Sequence, residues 1–237
     1  MDAESKLPRQ LPGHDHPDPA WRRPAPRGDS RLPVMVAVVA AIVLQAVLPN
    51  QLGIRPRWLI PALESALFLG LTVANPTRVN RDHPVLRLTS LVFTALMTLA
   101  NAVSASLLIH NILTGHHGSD NATSLLGTGA AIYLTNIVAF ALWYWEFDRG
   151  GPVARATARH RHPDFLFPQM ANPEIADPDW RPNFVDYFYV SFTNATAFSP
   201  TDTMPLSRWA KMLMLLQSAI SVAAVALVIA RAVNVLK

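Results

Sequence analysis

The chain has no cysteine among its 237 residues, which excludes disulfides, thiolate zinc sites, iron–sulfur clusters and cysteine nucleophiles. Charge is scarce as well. Only 15% of the residues are charged and 51% are hydrophobic, whereas about a quarter charged is usual for soluble domains. That apolar content exceeds what one water-soluble core of this size uses. Glycine runs out at Gly151, so the last third of the chain has no residue that adopts left-handed backbone at no steric cost. No nucleophile elbow, phosphate-cradling glycine loop or paired-carboxylate motif is present, so neither an enzyme nor a cofactor is expected. Six of the eight histidines fall in pairs, His14/His16, His116/His117 and His160/His162. Two helical ligands to one metal stand three or four residues apart, so no metal is expected from these pairs.

What is present is a series of long apolar runs. Residues 1–31 come first, with six prolines, six basic and five acidic side chains and almost no apolar run. Such a segment buries too little to offset the entropy of ordering, and it reads as a disordered tail. The runs that follow are Val34 to Leu48, Trp58 to Ala74, Val85 to Ile109, Leu125 to Tyr144 and Leu206 to Val235. A bilayer core takes about 20 helical residues, with a range of about 17 to 25. The expected fold is therefore an all-α integral membrane bundle of about five spans in a plasma membrane. Trp143 and Trp145 end one run; Trp209 and Lys211 start another, which Arg231 and Lys237 end, a belt-and-anchor pattern. Phe184 to Ser199 is only sixteen residues and carries Asp186. At 1.5 Å per residue it rises about 24 Å, short of the hydrocarbon thickness, and reads as a re-entrant or interfacial half-helix. These assignments divide the chain into a tail (1–31), a four-helix region (32–148), an extramembrane loop (149–183) and a terminal unit (184–237). The loop carries six prolines, and backbone that irregular is unsuited to lipid.

Basic residues are unevenly distributed. With the tail in the cytoplasm, fourteen lysines and arginines fall inside and two, Arg55 and Arg57, fall outside before the last span. The positive-inside rule places the tail inside. The basic stretch from Ala154 to His162 reads as flanking sequence near anionic lipid, not as a nucleic-acid reader.

From Ser191 onward the chain resembles the pore helix, filter and inner helix of two-helix potassium channels. Ser191, Phe192 and Thr196 match the pore helix, Asp202 the aspartate after the filter, Pro205 the following proline, and Lys211 the basic start of the inner helix. The filter positions hold Phe198, Ser199, Pro200 and Thr201 where the family has valine, glycine, tyrosine and glycine. Proline fixes its own φ and restricts the residue before it, so a carbonyl ladder of the usual kind is not formed by these residues. Channel topology would also put the basic tail outside, against the charge count. As a whole, with its terminal SFT-x-x-T-x-F-S-x-x-D block, the chain resembles an uncharacterised bacterial multi-pass membrane family, which implies no activity. Together the resemblances imply an ion-channel-like or transport-related homo-oligomer without a standard potassium filter, handling monovalent cations. The alternative is a scaffold that keeps the pattern without conducting.

Polar residues inside apolar runs are the candidate site. Thr193, Asn194, Thr196, Ser199, Thr201, Asp202 and Thr203 place seven polar side chains in eleven positions. They either line a polar vestibule or form a satisfied turn in which Asp202 caps the last helix. Glu64 is a lone carboxylate about two turns into its run, either a cation or proton site or an interhelical hydrogen-bonding group. Arg87 is either a snorkelling anchor or its partner. Gln45, Asn101, Asn136 and Gln217 read as amides bonding across helices. Ala219, Ala223, Ala226 and Ala230 form a small-residue seam, for packing within the subunit or between subunits.

Overall fold

The computed structural model describes residues 18–25, 29–49, 56, 58–74, 78–79, 83–114, 122–160, 162–197 and 202–235. The fold is helical. Its principal elements are α1 (Leu32–Val47), α2 (Leu59–Ala74), α3 (Pro84–Thr114), α4 (Ala122–Phe147), the short α5 (Pro152–Ala156) and α6 (Pro168–Ala171), α7 (Phe184–Ala197) and α8 (Arg208–Val235). Four two-residue strands form two antiparallel ladders: β1 (Asp29–Ser30) with β2 (Arg78–Val79), and β3 (Phe165–Leu166) with β4 (Met204–Pro205).

Proline marks several boundaries. Pro33 sits in the first turn of α1, where its missing N–H would have had no partner. Pro49 bars Leu48 from helical backbone, and Leu48 takes φ −57° and ψ 145° as α1 ends. Three helices, α3, α4 and α8, are long and apolar enough to cross a membrane. The two other expected spans, α1 and α2, are apolar but only 16 residues each, about 24 Å of rise.

The bundle is built around α4, which packs against α1, α3, α7 and α8, while α2 lies against α3 and α1. In α4 67% of the apolar window is buried, against 28% in α8, so α4 is the axis and α8 a peripheral helix. Where α4 and α8 cross, a Cβ on Gly129 would come within 2.9 Å of the Val228 methyls; glycine is what permits this approach. The outward faces are apolar: Val36, Val39 and Val43 of α1, Leu63 and Leu69 of α2, and Met212, Leu215 and Ile229 of α8 are all exposed. Contiguous apolar surface of this extent suits lipid or protein, not water.

The termini of the elements define two ends of the bundle. The start of α1, the end of α2, the start of α3 and the end of α4 lie together at one of them. α7 begins there as well, with Phe184 edge-on to Trp145, and runs antiparallel to α4 until its Ser191 reaches Ile137. By Met204 the chain is back at that end, paired with Leu166, and α8 starts with Trp209 against Phe147. α7 therefore dips into the bundle and the chain returns to the end it left.

Part of the segment read as a disordered tail is held against this same end. Trp21 is buried, its carbonyl accepts from Arg149 Nη1 at 2.7 Å, and Arg23 O accepts from Arg181 Nη1 at 2.6 Å. Ala20 and Trp21 are the buried apolar side chains among the described residues of that segment.

The chain reverses after α4 through Arg149, Gly150 and Gly151, with φ of 51°, 79° and 99°. A Cβ on Gly151 would also stand 2.9 Å from the Glu146 carbonyl oxygen. Gly151→Ala should cost about 1–3 kcal/mol through left-handed strain plus this collision. Gly70→Ala, inside α2 with nothing within 4 Å, should gain about 0.5–1 kcal/mol from helix propensity. Thermal unfolding of both variants in detergent distinguishes them; a tolerated alanine at position 151 would contradict the described turn.

Candidate functional site

The polar residues of α7 and the chain after it do not act as one group, because a helix turns about 100° per residue. Asn194 points inward and is fully buried. Its Nδ2 donates to Met214 O at 3.0 Å and Gln217 Oε1 at 2.9 Å, and its Oδ1 accepts from Ser218 Oγ at 3.2 Å. Thr193 and Thr196 donate their hydroxyls back to their own helix, to Tyr189 O at 2.9 Å and Phe192 O at 2.8 Å. Ser199 and Thr201 lie outside the described residues. Asp202 is exposed and Thr203 is buried.

Asp202 does not cap the last helix. α8 begins six residues later, after β4, and its first turn is capped by Ser207, whose Oγ accepts from Ala210 N–H at 3.4 Å. The sequence TDTMP has good capping chemistry, but its Met204 and Pro205 pair with β3 instead.

Gln217 of α8 is the hub of a closed interhelical network. Its Nε2 donates to Ser191 O at 3.0 Å and Ser191 Oγ at 2.6 Å; its Oε1 accepts from Tyr144 Oη at 2.6 Å and from Asn194. Ser191 Oγ in turn donates to Ile137 O at 2.7 Å. All four hydrogen-bonding sites of the amide are occupied, which locks α4, α7 and α8 together. Asn136 adds a bond to Ser221 Oγ at 3.3 Å. Two of the four amides thus bond across helices as expected, while Gln45 Nε2 and Asn101 Oδ1 are buried without a hydrogen-bond partner.

Glu64 has no exposed surface, and neither of its carboxylate oxygens has a hydrogen-bond partner. Gln45 on α1 is its polar neighbour, near enough to influence the carboxylate but outside hydrogen-bond geometry. Arg87 goes elsewhere, to the surroundings of Glu146.

A second polar cluster, not anticipated from the sequence, closes the end of the bundle where α7 enters. Asp148 is fully buried. Its Oδ2 accepts from Tyr187 Oη at 2.6 Å, and its Oδ1 accepts from the N–H groups of Asp164 at 2.8 Å and Phe165 at 3.4 Å. Asp164 accepts from Arg149 N–H and Trp209 Nε1, each at 2.9 Å. Arg155 donates to Trp145 O at 2.6 Å, Asp148 O at 3.0 Å and Asp29 Oδ2 at 2.9 Å. Burial pulls the Arg155 guanidinium down, but Tyr187, Asp29 and Asp148 outweigh it and hold it above the ordinary arginine value. The one local sign in the sequence is the run Asp148, Arg149, Gly150, Gly151 after an aromatic stretch, an ion pair beside a chain reversal.

The four seam alanines, Ala219, Ala223, Ala226 and Ala230, all face outward, while Ser221, Ala224 and Val228 are the buried residues of that stretch. The seam is not used for packing within the subunit. Among the described residues, no group of three histidine, aspartate or glutamate side chains converges as a metal site would.

No family model matches the chain, and neither a curated protein nor a solved structure is similar to it.

Gln217→Leu should destabilise the protein by about 1–3 kcal/mol, because Tyr144 loses the acceptor of its hydroxyl, Ser191 loses two bonds and Asn194 loses one. Thr196→Val, on an exposed hydroxyl bonded to its own helix, should change stability by less than about 0.5 kcal/mol. Equal effects in denaturant titrations in micelles would refute the network.

Proposed function

We propose that the protein crosses the plasma membrane five times, with α1 and α2 completing the set of three long helices and α7 as a re-entrant half-helix. In this reading it is a transport-related, ion-channel-like oligomer without a standard potassium filter, and Glu64 is its site for a proton or a monovalent cation. The observation that carries it is the Glu64 carboxylate, wholly buried with both oxygens unpartnered. An uncompensated carboxylate inside such a bundle is costly, so it must take up a proton or a cation. A buried carboxylate whose polar neighbour is the neutral amide of Gln45 has no positive charge supplied by that neighbour, which suits it to exchange a proton or cation.

The exposed apolar faces of α1 and α2 support their placement in lipid. The dip of α7 supports the resemblance to a pore helix, although its mouth opens at the end bearing Arg31, Arg87 and Arg155, which the charge count assigns to the cytoplasm. The outward alanine seam of α8 supports a homo-oligomer. A vestibule would then draw on the chain around Thr193, Thr196, Ser199, Thr201, Asp202 and Thr203, but not on Asn194.

One observation favours the second reading, a non-conducting scaffold: Asn194 and Ser191 are consumed by bonds within the subunit.

In liposomes containing purified protein, wild type should pass protons or monovalent cations and Glu64→Gln should lose that flux while eluting and unfolding as a native protein. Unchanged flux in Glu64→Gln would eliminate Glu64 as the site; absence of flux in correctly inserted wild type would leave the scaffold. For topology, single cysteines at Gly53 and Gly118 should react with an impermeant maleimide in intact cells, and one at Ala158 only after lysis. A Gly53 cysteine protected in intact cells would show that α1 and α2 do not cross.

A further inference from the structure

A cleft of about 80 Å³ opens at the end of the bundle where α1 starts, α2 ends, α3 starts and α4 ends. That is room for several water molecules. Its lining is layered. At the helix ends stand Arg31, Arg87 and Arg159; one or two turns further in, the walls are Val38, Phe68 and Leu142. A single carboxylate, Glu146, belongs to the polar layer. It is buried, its Oε1 accepts from the Ser90 hydroxyl, and it attracts Arg155, Arg87 and Arg31. Glu146 thus gathers guanidinium groups at the mouth, and three arginines against one carboxylate leave the lining positive. Arg31 is buried and also donates to Leu71 O, which fixes its position at the rim; Arg87 and Arg159 are exposed at the mouth.

We infer that this cleft binds a phosphate-bearing anion, and that the anion is the headgroup of an acidic phospholipid. Guanidinium groups recognise phosphate with paired, charge-assisted hydrogen bonds. A basic pocket between membrane helices at their cytoplasmic ends is where anionic headgroups are taken up. The apolar inner layer decides between sources of phosphate. A free phosphate ion gains nothing from Val38, Phe68 and Leu142, whereas a phospholipid places its first hydrocarbon segments against them. The site is independent of Glu64 and of any conductance. It rests on insertion of the chain in a membrane with this end at the cytoplasmic face; retention after alkaline carbonate washing tests the first, and labelling of the cysteine at Ala158 tests the second.

The test uses the full chain purified in a neutral detergent, with thermal unfolding followed by tryptophan fluorescence during titration with phosphatidylglycerol, phosphatidylcholine or inorganic phosphate. Phosphatidylglycerol should raise the unfolding temperature at concentrations about tenfold or more below those at which phosphatidylcholine does. Arg87→Gln with Arg159→Gln should remove roughly fivefold in apparent affinity per arginine, with phosphatidylcholine binding unchanged, and Arg87→Lys with Arg159→Lys should restore only the part that comes from charge, without the paired guanidinium bonds. Both positions are exposed, so the variants can be required to elute and unfold as wild type does without lipid. Equal response to the two lipids, or a glutamine pair that keeps the preference, would overturn the site. Protection by inorganic phosphate matching that of phosphatidylglycerol would overturn the lipid assignment.

Discussion

The arrangement depends most on Asp148, a carboxylate taken fully out of solvent at the end of α4. Its two oxygens are shared between the Tyr187 hydroxyl of α7 and the backbone of Asp164 and Phe165 leading into β3. Through Tyr187 it sets the entry of α7; through Asp164 and its bond from Trp209 it sets the start of α8. Arg155 completes the cluster, tying the chain after the α4 reversal to Asp29 before α1. A buried charge of this kind is tolerable only when its hydrogen-bonding capacity is filled from several directions. The need to fill that capacity is what draws distant segments to one place.

The elements themselves were largely legible. The apolar runs from Val34 and Trp58 became α1 and α2 within two residues, and the sixteen-residue segment from Phe184 became α7. Length and hydropathy are local properties, and helices obey them. Five spans were expected and, among the described residues, three helices meet length and hydropathy together, because the runs that became the 16-residue α1 and α2 were already short in the sequence.

The candidate site was legible only as a density of polar residues. A run containing Thr193, Asn194 and Thr196 looks like one polar surface on paper, yet the helix sends Asn194 to the core and Thr196 to the outside. The same loss of direction affects the alanine seam, whose spacing gives a face but not what lies opposite. The Asp148 cluster was not legible, since its partners lie 16, 17 and 39 residues away. Nothing in a local window announces such pairings. Glu64 was found because a carboxylate in an apolar run is conspicuous; its lack of partners could be known only from the packing.

The full occupancy of Gln217 has a consequence for biosynthesis. Tyr144 and Ser191 emerge from the ribosome before the glutamine that satisfies them, by 73 and 26 residues. Until α8 has been made, the Tyr144 hydroxyl and the Asn194 amide have not met the Gln217, Met214 and Ser218 groups they bond to, and Ser191 has only the Ile137 carbonyl of α4. A helix carrying such residues gains little by entering apolar surroundings before its partners exist. The order of assembly follows from this. The network around Gln217 closes only when α8 arrives beside α4 and α7, so a helix made after α7 completes the seating of α7.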